Sequence, residues 1–208
     1  SGDKLEETRK FIDLLSQELE KLEILKRISE IRQDILGAYF FHIPEIQIYW
    51  MVIGIISGMI GVSAEALTVV VLTHELAHAY SHLGHDTDGE QWKTDSFAKT
   101  DLEIIEGLAQ FYTSVVCEKI SDRNPSVKEA FEKLIAIQRG PYKVHIGWSE
   151  DEERAGEFVR SGLIECRSKG ITQYEEFEKK LKEARGRIGR RSKSSQLRMF
   201  HGRQVGKI

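Results

Sequence analysis

The 208-residue chain is poor in cysteine. Its two, Cys117 and Cys166, lie far apart and without metal-type spacing, so no disulfide framework is implied and a reduced intracellular protein is the simplest account. It has no excess of charge of one sign: a net charge of −3 points to no nucleic-acid surface. It has no apolar run of bilayer length. Residues 48–62 are uncharged for 15 residues, whereas a full span needs about 20. The N-terminus lacks the basic, apolar, small-residue order of a signal peptide, so the cytoplasm is the expected location. Between Asp3 and Gly37 there is neither glycine nor proline, and nothing there interrupts a helix.

Against those absences, 30% charged and 40% hydrophobic residues suit one globular domain with a sizeable core. Asp3 and Glu6 have capping-box spacing, and Ile12, Leu15, Leu19, Leu22, Leu25, Ile28, Ile31 and Ile35 form an amphipathic stripe over residues 1–37. This segment is expected to pack on the rest as one long helix or two antiparallel ones. The three glycines and β-branched neighbours of 48–62 read as a buried strand, over about 46–56, followed by glycine-rich turns. Membrane association through residues 46–72 is the lesser alternative, weakened by Glu65.

The chemistry is concentrated in Thr73-His74-Glu75-Leu76-Ala77-His78, which follows the aliphatic stretch 67–72. On a helix, residues four apart lie one above the other, so both imidazoles reach one tetrahedral zinc while Glu75 points at its open side. An apolar helix also makes two solvated histidines a poor account, because a buried imidazole needs a hydrogen-bond partner or a metal.

A third protein ligand is required, and four candidates follow. His82 continues the stripe but sits about 12 Å along the axis from His74, too far for one metal. His85 follows Gly84, one residue later than a metzincin-type pattern places its histidine. Glu103 has capping-box spacing with Thr100, which gives it a structural role at the start of a second apolar helix. Glu106 has no such alternative, and the neighbouring Gly107 is understandable if the backbone packs closely against another element, expected to be the zinc helix.

His74-Glu75-x-x-His78, followed after 27 residues by Glu106-Gly107-Leu108-Ala109, resembles a gluzincin metallopeptidase over about residues 65–115. The resemblance implies that His74, His78 and Glu106 hold Zn2+ and that Glu75 is the general base. It further implies an α+β, predominantly helical fold, with a zincin-like core and a small β-sheet beside the His-Glu-x-x-His helix. The Gly-x-Met-Glu-Asn signature of the aminopeptidase branch is absent, which leaves the peptidase subtype open.

Such sites use a Tyr or His as oxyanion donor, and the segment 140–148 offers Tyr142 and His145. Residues 122–126 mark a turn before a helix from about 127 to 138. Ser149 with Glu152 and Thr172 with Glu175 signal two more helices, ending near Gly170 and Gly186. Asp86, Asp88 and Glu90 read as a solvated loop rather than a calcium site. The core domain is thus expected over 38–184. The tail 185–208, with eight Lys or Arg and no acid, is expected to be flexible or to dock on an acidic partner, and base-specific nucleic-acid recognition is not expected. The expected substrate is a peptide or protein. The competing class is a non-catalytic zinc-containing interaction protein, and a membrane-associated metalloprotease is a third.

Overall fold

The computed structural model describes residues 35–84, 89–148 and 154–202, with side chains to 188, and the single positions 6, 9, 10 and 13. The N-terminal stripe before Ile35, His85, the acidic loop at 86–88 and the Ser149–Glu152 pair lie outside the described residues.

The order is β1 (Gly37–Phe40), β2 (Glu45–Ile48), α1 (Trp50–Ile60), α2 (Ala64–Leu83), α3 (Thr94–Ala98), α4 (Leu102–Ile120) and α5 (Pro125–Ile137). A 3-10 turn, Gly140–Lys143, then leads into the single-turn α6 (His145–Trp148), followed by α7 (Ala155–Lys169) and α8 (Tyr174–Gly202). The fold is predominantly helical with one two-stranded antiparallel sheet, pairing Gly37 with Ile48 and Phe40 with Glu45. That sheet packs on α2, as the expected α+β arrangement has it.

The segment read as a strand over 46–56 corrects to a short strand and a helix: β2 stops at Ile48 and α1 starts at Trp50. The glycines misled. Gly54 and Gly58 face solvent, where an added Cβ would touch nothing, so neither demands a turn. Only Gly61 punctuates the chain, capping α1 with a left-handed φ of 66°. Ile53, Ile56 and Ser57, three and four apart, form its buried face.

Helix α2 begins cleanly. The Ser63 hydroxyl accepts from Ala66 N at 3.2 Å, and Glu65 lies in the first turn. Its aliphatic run buries Leu67, Val70 and Val71 against Ile53, Val127 and Leu134 in one cluster. A second cluster, built on Trp92, Phe97, Phe111, Phe158 and Phe177, lies between α4 and the α7–α8 pair. Helix α4 serves both, giving Ile104 and Leu108 to the second and Cys117 to the first. Each such aliphatic or aromatic side chain stabilises the fold by about 1.5–3 kcal/mol. Helix α4 is thereby pressed along α2 over much of its length.

Two capping expectations change. Thr100 does not cap α4, because its hydroxyl donates to Ser96 O at 2.8 Å. Asp101 is the N-cap residue, and its carboxylate instead accepts from Tyr174 N at 2.8 Å, while Asp101 N donates to Thr172 O at 2.8 Å. Helix α8 runs through Gly186 to Gly202. Gly186 meets no neighbour that a Cβ would strike, and a helical glycine costs only about 1 kcal/mol, too little to end a helix.

Candidate metal centre

Adjacent turns of α2 stack His74 over His78, with ring centroids 4.6 Å apart and planes at 86°. Their Nε2 atoms stand 3.1 Å from each other. From α4, Glu106 brings Oε2 to 3.2 Å from His74 Nε2 and 3.5 Å from His78 Nε2. The three donor atoms form a nearly equilateral triangle. A tetrahedral zinc with arms of about 2.0–2.1 Å needs ligand atoms about 3.3–3.4 Å apart, so the triangle has the size of one face of that tetrahedron. Among the described residues these three side chains form the cluster able to hold a metal ion. His82 and Glu103 are not part of it.

The electrostatics agree. Burial works against ionisation of Glu106, but attraction from His78 and hydrogen bonding by both imidazoles outweigh it and hold the carboxyl well below the usual carboxylate range. An ionised, buried carboxylate facing two imidazole nitrogens is a donor set suited to a divalent cation of borderline softness.

Glu75 is buried beneath β1 and lines, with His78 and Glu106, the floor of a cleft of about 1320 Å³. The hairpin reaches it only because residue 37 is glycine: a Cβ there would stand 2.9 Å from Glu75 Oε1 and 2.9 Å from Val71 Cγ1. A glycine at the first position of a strand was the available sign of this close approach. Behind His74, Gln110 Nε2 donates to Gln138 Oε1 at 3.0 Å and closes a small second cavity.

His82 ties the site together instead of binding metal. Its Nδ1 is 2.9 Å from the Tyr39 hydroxyl on β1, its Nε2 is 3.3 Å from Thr94 Oγ1, and its ring stacks on Phe97. Burial, and secondarily the charge of His42, lower its pKa and keep it neutral for this role. Arg167 of α7, a residue with no sequence signal, donates from Nε to Ser81 O at 3.1 Å and from its terminal nitrogen to Tyr80 O at 2.6 Å. It thus satisfies carbonyls at the C-terminal end of α2.

Gly107 meets Trp148 and Val144, so the element it admits is the 140–148 segment and not the expected α2. This contact holds Tyr142 and His145 near the site. The Tyr142 ring lies 6.2 Å from that of His74. His145 Nδ1 donates to Tyr142 O at 2.9 Å, and desolvation lowers its pKa to about 4. At neutral pH its Nε2 therefore carries a lone pair and no proton. Neither residue lines the cleft.

Both cysteines are free and buried, and burial pushes the Cys117 thiol up to about 11 and Cys166 higher, which removes them as nucleophiles at neutral pH. No described helix is long and apolar enough to cross a membrane. In comparison with known proteins, the chain matches no family model, no curated protein and no solved structure.

Proposed function

We propose that the protein is a zinc-dependent peptide hydrolase of gluzincin type, with His74, His78 and Glu106 as ligands and Glu75 as general base. The observation that carries this reading is the convergence of three donor atoms, from His74, His78 and Glu106, at an open cleft whose floor presents His78, Glu106 and Glu75. A structural zinc site would be closed on all sides. Zinc bound by such a set supplies Lewis acidity, enough to bring the pKa of water to about 7.

The protein's own groups do the rest. Glu75, held below β1, takes the proton of the attacking water and returns it to the leaving amine. Gln110 and Gln138, bonded to each other, line with His74 the small cavity behind its ring. Of the two donor candidates, His145 commits its N–H to the Tyr142 carbonyl and supports the turn, which leaves Tyr142, its ring 6.2 Å from that of His74, as the one proposed. Strand β1, one edge of which has no strand partner among the described residues, offers backbone groups to an extended substrate. The cytoplasm is the proposed location, supported by the two free, buried cysteines, and an acidic partner is proposed for the basic residues 185–208.

The test is Glu75→Gln. Elemental analysis is expected to find about one zinc per chain in both proteins, with turnover of a peptide library reduced by about 100-fold or more in the variant. Turnover at the wild-type rate in Glu75→Gln sinks the mechanism. Zinc without any turnover in the wild type returns the site to the structural reading.

A further inference from the structure

The cleft has a composition of its own. Its volume of about 1320 Å³ exceeds the roughly 300–1,000 Å³ typical of small-molecule pockets. Above the polar floor its walls are aliphatic and aromatic, with Phe41, Ile48 and Ile105 among them. None of the described lining residues is Lys or Arg, and its two carboxylates, Glu75 and Glu106, belong to the candidate centre. The apolar lining then continues outward onto the rim. Trp50 is 75% exposed, Ile43 66%, Met51 62% and Phe40 39%, and all four border the same cleft. Two come from the start of α1 and two from the β1–β2 hairpin, so separate elements present one apolar band. Clustered large apolar side chains at a cleft mouth mark a binding surface, whereas scattered ones do not.

Resting on the reading of this site as a peptidase centre, we propose that the substrate class is an extended internal segment of protein rich in large apolar side chains, gripped by Phe40, Ile43, Trp50 and Met51 before cleavage. The occupant follows from continuity and charge. The rim leads without a break to the floor that holds His78 and Glu75, so whatever seats on it is carried to the reacting groups. The described walls offer no Lys or Arg for a terminal carboxylate and no carboxylate outside the candidate centre for a terminal amine, which favours a mid-chain segment over a chain end. Strand β1, running along the cleft, matches a chain in extended conformation.

Trp50 provides the readout, because Trp92 and Trp148 are buried. The full chain carrying Glu75→Gln, zinc-loaded and zinc-stripped, is titrated with two end-blocked peptides of equal length, one Leu- and Phe-rich and one in which those residues are Ser and Glu. Phosphatidylcholine vesicles serve as a third probe, and sedimentation reports self-association. The apolar peptide is expected to shift Trp50 emission to the blue and to bind at least about tenfold more tightly than the polar one, with or without zinc. Ile43→Glu and Met51→Glu are expected to remove that preference while the thermal midpoint and zinc content stay unchanged. Equal binding of both peptides, or preference surviving both substitutions, overturns the proposal. So does a blue shift given by vesicles or by self-association and not by peptide. Binding of the apolar peptide by a chain that holds no zinc and cleaves nothing supports this inference and defeats the peptidase reading alone. Cleavage confined to polar peptides does the reverse.

Discussion

Helices α2 and α4 form the floor of the cleft, and the stretch from β1 through α1 forms much of its rim. The floor carries histidines and carboxylates yet is almost wholly buried, while the rim carries Trp50, Met51 and Ile43 yet faces solvent. Ordinary burial statistics run the other way on both counts. In the floor, polar groups are met by neighbours from other elements: His74 and His78 by Glu106, and the end of α2 by Arg167. In the rim, the exposed side chains add little to the core. On the proposed reading, placement of reacting groups and recognition of substrate fall to different parts of the fold, and substitutions should separate them.

The largest expected effect is on the floor. Glu106→Ala should weaken metal binding by more than about 100-fold, since even the outer partners of metal ligands are worth about 10–100-fold, and competition with a chromogenic chelator measures it. Zinc affinity unchanged in that variant would return the third ligand to Glu103 or His85.

Next is the pH dependence contributed by His145. Its pKa is about 4 in the folded protein and 6.5 as a free side chain. At pH 5 the unfolded chain therefore binds a proton there that the folded chain does not, so stability falls as pH drops from about 6.5 toward 4. The loss is on the order of 3 kcal/mol, and it should be missing from His145→Asn, so that the wild-type and variant stabilities, read by urea unfolding of the zinc-stripped proteins, converge or cross as pH falls through that range.

Gly107→Ala should cost about 1–3 kcal/mol, because its methyl group must displace Trp148 or Val144, and thermal unfolding reads the shift. The smallest effect belongs to the rim. Met51→Ser should change stability by no more than about 0.5 kcal/mol. A larger loss there would mean that the rim is part of the core and would remove the contrast.

The floor was the more legible region in the sequence. A four-residue spacing on an aliphatic helix fixes which side chains share a face, and Glu106 is separable from Glu103 in the sequence alone. The separation leaned partly on a wrong reason, since Thr100 turns back to Ser96 and leaves the capping box unformed. Residues 48–62 were misread because β-branched residues and glycine suit both a strand with turns and an apolar helix, and only burial decides between them. Gly107 announced a close contact but not its partner. Arg167 and the Tyr39–His82–Thr94 tie join positions 12 to 87 residues apart, and no local pattern encodes such pairings.

The anchoring of α2 and α4 has a consequence for how the chain divides. Arg167 holds the far end of α2, and the backbone of residues 172–174 holds the first residues of α4 through Asp101. The His-Glu-x-x-His helix and its glutamate partner are thus framed by a segment that supplies no ligand and begins almost fifty residues after Glu106. The centre is not a cassette. A fragment ending before α7 would keep His74, His78 and Glu106 in its sequence and lose the scaffold that sets their spacing, so transplanting the motif between proteins would require carrying the α7–α8 pair along with it.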